Sequence, residues 1–202
     1  MRVAVVVFPG TNCEHDAVHA MRLLGADADL VWHRDTDLTG ADGVILPGGF
    51  AHGDYLRTGA IARFSPIMDA VAGMAEAGAP ILGICNGFQI LCEAGMLPGA
   101  LVANRGLRFI CRPIHIRVES TDSVLTRAAS IGDVLRIPLN SYEGNYIAEP
   151  DGLTALENDE GVALRYCDPE GKVTDEANPN GSTNSIAGVA RGNVAGLMPH
   201  PE

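Results

Sequence analysis

The chain has 202 residues, of which 47% are hydrophobic and 19% charged. At this length it is expected to bury about 70% of its unfolded surface, enough to hold a core without disulfides or a structural metal, and the composition excludes disorder as the main state. Twenty-five acidic against fourteen basic residues leave a net charge of −11 with no basic run, which argues against a nucleic-acid partner. The first apolar run, VAVVVF, stops at Pro9, too short for a signal peptide or a membrane span, so the reading is cytoplasmic with no membrane association.

From the N-terminus to about residue 100, short apolar runs bounded by Gly or Pro alternate with segments of helical period, the pattern of βαβ units on a parallel sheet. Residues 3–8 read as the first strand. Ala17, Met21 and Leu24 then mark an amphipathic helix stopped by Gly25. Strands are predicted at 30–33 and at 43–46, the second breaking at Pro47, Gly48 and Gly49. A helix is predicted over 67–77, a buried strand over 80–84 ending at Cys85, and a helical stretch over 88–94. Beyond residue 101 the runs at 109–119, 134–139, 162–167, 186–190 and 194–198 are strand-like, with little helical period between them. They predict an antiparallel or mixed extension packed onto the α/β half. No repeat or linker interrupts the chain, and residues 1–202 are read as one domain.

The strongest local signal is GICNG at 83–87, a strand, a sharp turn and a helix. A side chain at such a turn stands above the sheet, flanking glycines remove clashes, and the helix N-terminus favours a thiolate and offers N–H groups to an oxyanion. Two readings of Cys85 stand: a nucleophile, or an inert buried thiol. Cys92, two turns on, reads as a core thiol, and Cys13, Cys111 and Cys167, with no glycine turn or nearby base, read as structural. The odd count and the lack of CxxC spacing fit neither a disulfide framework nor a structural zinc site. A nucleophilic cysteine needs a base, for which His15, His19, His33, His52, His115 and His200 are available. His200 stands out in MPHPE, where an extended chain places Glu202 on its own side, suited to orient an imidazole. The paired glycines of PGGF at 47–50 read either as an oxyanion-binding strand end or as an ordinary tight turn, and they match neither nucleotide-binding loop.

With these residues in view the sequence resembles the class I glutamine amidotransferases, whose Cys, His and Glu triad occurs here in order as Cys85, His200 and Glu202. Within them it is similar to the glutaminase subunits of phosphoribosylformylglycinamidine synthases. FPGTNCEHD at 8–16, LPGGFAHGDYLRTGAIA at 46–62, GICNGFQILCEAGMLPGAL at 83–101, NPNGS at 178–182, SIAG at 185–188 and GLMPHPE at 196–202 carry the likeness. It implies a flavodoxin-like, mostly parallel central sheet flanked by helices, with a β-rich C-terminal extension. It also implies glutamine hydrolysis: Cys85 attacks the side-chain amide, His200 protonates the departing ammonia and then activates water, and Glu202 fixes the imidazole. The oxyanion falls to the Gly48–Gly49 turn and the amide of Asn86, and Gln89 to the glutamine pocket. Ammonia passes to a large synthetase subunit that consumes ATP and magnesium on formylglycinamide ribonucleotide, alongside a small bridging subunit; no cofactor or metal is expected in this chain.

The pattern departs from the family in three places. Ala51 and His52 follow PGGF where many relatives have Ser-Tyr, and Ser141, Tyr142, Glu143 and Gly144 stand where many have His-Gly-Glu-Gly. Relatives continue beyond HPE with a loop and a helix, so a shortened product is expected. Two other readings are a pseudo-glutaminase that only activates a synthetase and a cysteine-elbow peptidase or glyoxalase relative. The order of Cys85, His200 and Glu202 opposes the first; Asn86, in the place where the second group has its histidine, opposes the other. Arg105, Arg108, Arg112 and Arg117 are read as a solvated strand face in preference to a docking surface.

Overall fold

A computed structural model describes residues 1–49 and 59–202. Its nine-stranded sheet runs β2 (Asp27–Trp32), β1 (Arg2–Val7), β3 (Gly43–Leu46), β4 (Ile81–Ile84), β11 (Val194–Leu197), β10 (Ile186–Arg191), β9 (Val162–Cys167), β6 (Ile110–Val118) and β7 (Val134–Ser141). The pairs from β2 across to β11 are parallel, and those from β11 across to β7 antiparallel. Sequence pattern explains the division. Strands β3 and β11 are buried at every position, and β4 at all but Leu82, as expected of parallel strands covered on both faces. From Ile114 to Val118, β6 alternates buried with half-buried residues, as expected of a sheet with one wetter face.

Helices α1 (Glu14–Leu23), α2 (Ile67–Glu76) and α3 (Asn86–Glu93) occupy connections of the parallel half. One buried apolar cluster extends from Val3 to Met198 and joins both halves. Helix α3 lies so close to β3 that a Cβ on Gly87 would strike the Leu46 carbonyl. That approach sets the start of α3, and with it Cys85, against the neighbouring strand end.

The expected extension is present, but it continues the same sheet edge to edge, because β11 pairs in parallel with β4 and antiparallel with β10. Three elements were not anticipated: the small sheet of β5 (Ala100–Val102) with β8 (Asn145–Ile147), and α4 (Pro150–Asn158). Helix α4 buries only Leu156, so its sequence carries almost no apolar stripe. Among the described residues, no helix is long and apolar enough to cross a membrane.

Strands β1, β3, β4 and β11 are consecutive neighbours, and the chain leaves their carboxyl ends at Thr11 to Cys13, Gly48 and Gly49, Cys85, and His200 respectively. Ligand sites of open α/β sheets lie at that edge.

Candidate active site

Cys85 links β4 to α3 with φ +49° and ψ −104°, a conformation rarely taken by a residue with a side chain. Its own N–H donates to the Leu197 carbonyl at 2.8 Å, which ties the turn to β11, and Sγ contacts the Asn140 carbonyl at 3.5 Å. Gly83 and Gly87 permit the turn, since a Cβ on Gly83 would come within 2.7 Å of Gly87. Asn86 opens α3, and its N–H is among those a helix leaves without an internal partner.

His200 reaches the same place from β11. Its N–H donates to the Pro138 carbonyl at 2.9 Å, and ring Nδ1 donates to Glu202 Oε1 at 2.8 Å. Both side chains are more than nine-tenths buried, whereas Nε2 has no well-directed hydrogen-bond partner. Burial opposes a charge on the imidazole; hydrogen-bonding interactions with Cys13, Cys85 and Glu202 and the charge of Cys85 outweigh it, holding His200 protonated well above the ordinary histidine range.

Among the other histidines, His33 is buried and bonded to Ser65 Oγ at 2.9 Å, His15 and His19 are exposed on α1, and His115 lies on β6. His52, with Ala51 and most of the GDYLRTGA string, lies outside the described residues. Of the thiols, burial pushes Cys92 and Cys167 up, the latter to about 11, and Cys111 is exposed on β6. Cys13 corrects the sequence reading. The turn after β1 carries its thiol to the site, where Sγ lies within 4.8 Å of donor atoms of both His200 and Glu202. Its one signal in the sequence was its position just after a parallel strand, with no glycine turn or neighbouring base to mark it.

Cys85, Cys13, Gly49, Gln89 and His200 line a cavity of about 230 Å³, with Asn12, Phe109 and residues 140–143 completing its wall. This volume is below the range typical of drug-sized ligands and suits a small polar substrate. Gly49, at φ +152°, packs so tightly that a Cβ would fall 2.6 Å from Thr11 Cα. Gly48 turns its carbonyl to the N–H of Cys13 at 3.2 Å and sets its Cα against the imidazole, where a Cβ would lie 2.6 Å from Cε1 of His200. Replacing it by alanine is therefore expected to displace the His200 ring. A Gly48→Ala chain should lose about 10²-fold in kcat, the scale of an ångström-sized misplacement, with its thermal midpoint little changed. Glutaminase assays beside a melting curve check this.

Gln89 reaches the cavity wall with both ends of its amide engaged: Oε1 accepts from Asn86 Nδ2 at 2.9 Å, and Nε2 donates to the Glu143 carbonyl at 2.7 Å. The wall at 141–144 is braced from behind. Asn104 Nδ2 donates to the Ser141 carbonyl at 2.8 Å and its Oδ1 accepts from Gly144 N–H at 3.0 Å. From NPNGS, fully buried Asn180 donates to the Gly144 carbonyl at 2.6 Å, and Ser182 Oγ donates there at 3.3 Å. Ser141 Oγ, by contrast, is buried without a hydrogen-bond partner. Asn180→Ala should cost about 1–3 kcal/mol of stability and raise KM for glutamine more than it lowers kcat, because the wall moves while Cys85 and His200 stay. Steady-state kinetics and a denaturant melt measure both parts.

A family model described as a CobB/CobQ-like glutamine amidotransferase domain matches residues 1–202. The chain is 54% identical over 204 residues to phosphoribosylformylglycinamidine synthase subunit PurQ of Rubrobacter xylanophilus, covering 100% of this chain and 89% of that protein. To the subunit of the same name from Thermomicrobium roseum it is 57% identical over 205 residues, covering 100% and 87%. The chain belongs to the PurQ family of glutamine amidotransferases.

Its fold superposes on a chain of PurLQS from Thermotoga maritima with a TM-score of 0.87 at 44% identity, covering 99% of this chain and 87% of that one. A second glutamine amidotransferase from Thermotoga maritima shares the fold alone, with a TM-score of 0.62 at 15% identity, covering 99% of this chain and 75% of that one. The likeness read from the motifs is thus borne out, and so is the flavodoxin-like fold class. The NPNGS string lies behind the cavity wall, where Asn180 and Ser182 hold the Gly144 carbonyl, and SIAG leads into β10.

Proposed function

We infer that this chain is the glutaminase subunit of a phosphoribosylformylglycinamidine synthase, hydrolysing glutamine to glutamate and ammonia for a synthetase subunit in purine biosynthesis. Residues 1–202 act as one domain, in the cytoplasm. The PurLQS assembly of the Thermotoga maritima relative supports two partners, a large PurL-type synthetase and a small PurS-type protein. ATP and magnesium act on the synthetase side, and the chain itself uses no cofactor. The observation that carries the reading is the meeting of Cys85 with the buried His200–Glu202 pair at adjoining strand ends.

In this mechanism Cys85 Sγ attacks the glutamine side-chain carbonyl, and the C–N bond breaks as His200 delivers a proton to the departing ammonia. Asn86 N–H and the Gly49 turn face the developing oxyanion. Water then adds to the thioester with His200 as base, and glutamate leaves as the thiol is restored. The same imidazole serves both steps because acylation removes the charge and the hydrogen-bonding interaction of Cys85, two of the influences that hold its proton. Burial, which favours the neutral ring, then weighs more heavily, and His200 becomes a base. Ser141 Oγ and the 140–143 wall bound the substrate's other end.

A glutamine-shaped electrophile, such as a diazo-oxo analogue, tests the reading on the complex with its synthetase. One label per chain on Cys85, prevented by excess glutamine, supports it. Labelling spread over Cys111 and other thiols, indifferent to glutamine, opposes it.

A further inference from the structure

Cys13 is the one feature of the site that glutamine hydrolysis leaves unused, and backbone bonds on both sides place its sulfur. Its N–H donates to the Gly48 carbonyl at 3.2 Å, and its own carbonyl accepts from Ala17 N–H at 3.0 Å as α1 begins. A point placed where a Gly48 Cβ would be lies 2.6 Å from His200 Cε1 and 3.4 Å from Cys13 Sγ, so the sulfur stands on the Cε1 side of the imidazole. Sγ also lies within 4.8 Å of a ring nitrogen of His200 and of a carboxylate oxygen of Glu202. The thiol donates its proton to Asn12 Oδ1 at 3.7 Å, which leaves the sulfur's lone pairs for the ring. The pair it adjoins needs such a neighbour. Both side chains are buried, yet they are joined by the single 2.8 Å bond between Nδ1 and Oε1, while Nε2 and Oε2 have no well-directed partner. One hydrogen bond fixes a distance and not a rotation, so packing at the edge of the ring decides its orientation.

We propose that Cys13 is a positioning residue of the glutaminase: its sulfur, carried to the Cε1 side of His200 by the turn after β1, holds the His200–Glu202 pair in the orientation that serves Cys85. The residue acts through the imidazole and makes no bond with glutamine. Two effects combine. The sulfur fills space beside the ring that Gly48, without a side chain, does not, and so opposes rotation about the bond to Glu202. Its polarisable lone pairs also face the C–H edge of an imidazolium, a weak hydrogen bond of the carbon-donor kind. Hydrogen bonding with Cys13 is accordingly among the influences that keep His200 protonated. Alanine at position 13 removes both effects, valine keeps only the filling, and serine keeps a polar acceptor in a smaller volume.

The kinetic consequence rests on the glutaminase reading, but the contact does not, so the contact is measured first. In the reduced chain a nuclear Overhauser signal is expected between the Cys13 β-protons and His200 Cε1–H, the ring signal being assigned by its loss in His200→Gln. In the complex with its synthetase, Cys13→Ala should lower kcat for glutamine about 10-fold with KM within about twofold, a smaller misplacement than the 10²-fold cost of an ångström. The protonated ring is the competent form, and burial still opposes its charge when one support is gone, so the alkaline limb of kcat/KM should move to lower pH. Cys13→Ser should keep most of kcat and the limb of the unmutated chain, and Cys13→Val should keep the thermal midpoint but not the limb. Cys111→Ser, exposed on β6, should change nothing. An absent Overhauser signal, Cys13→Ala kinetics equal to those of the unmutated chain, a raised KM at unchanged kcat, or a lower thermal midpoint with the limb in place each overturns the positioning role. Absence of turnover in the unmutated complex counts against the glutaminase reading itself, and the Overhauser signal then still decides the contact.

Discussion

Cys85→Ala is expected to abolish glutamine-dependent synthesis by the complex, by more than about 10⁴-fold, while synthesis from added ammonium salts continues at the normal rate. The magnitude follows from the role: without Sγ there is no thioester, and what remains is the modest help of the oxyanion donors and of binding. A loss of 10⁴ is about 5.4 kcal/mol of transition-state stabilisation. The retained ammonia reaction follows from geometry. Replacing Sγ by hydrogen removes its contact with the Asn140 carbonyl and its interaction with His200, and leaves the N–H bond to Leu197 and the glycine approaches that shape the turn. Alanine must still adopt φ near +49°, so a small loss of stability is expected. Parallel assays with glutamine and with ammonia separate the outcomes, and loss of both would make Cys85 a structural residue of the complex.

Much of this site was legible because each part was a strand followed at once by a breaker. GICNG, PGGF and MPHPE mark three adjoining parallel strands, and their apolar runs needed no partner information to be read. What the sequence hid depends on contacts between distant segments. Cys13 gave no local sign of its neighbours, since its relation to His200 arises only when β1 and β11 lie in one sheet. Asn104 and Asn180 fall between the predicted strands, yet they support the 141–144 wall across 36 to 40 residues of sequence. Helix α4, with Pro150 and Gly152 inside and one buried leucine, has too little apolar period to announce itself. Gln89 lies at the cavity, where the motif put it, but its engaged amide makes it a brace of the wall, which no motif specifies.

His200→Ala should lower glutamine turnover by about 10²- to 10⁴-fold, and Glu202→Gln by less, but the second substitution tells more through its pH profile. In the free enzyme His200 must be protonated to deliver ammonia as a leaving group. Its pKa is raised, so the competent form persists to higher pH than an ordinary histidine allows, and activity is lost on the alkaline side as the pH rises through that raised value. Glu202 is one cause of the rise, through the 2.8 Å bond to Nδ1. Neutralising it removes part of the support while burial, which lowers the pKa, remains. The alkaline limb of kcat/KM for glutamine in Glu202→Gln should therefore shift toward lower pH, whereas ammonia-dependent synthesis keeps its original profile. A limb that stays in place, with activity merely scaled down, would mean that Glu202 positions the ring without governing its proton. A uniform loss in both reactions would place its effect in the fold of the β11 terminus, where the N–H of His200 is held by Pro138.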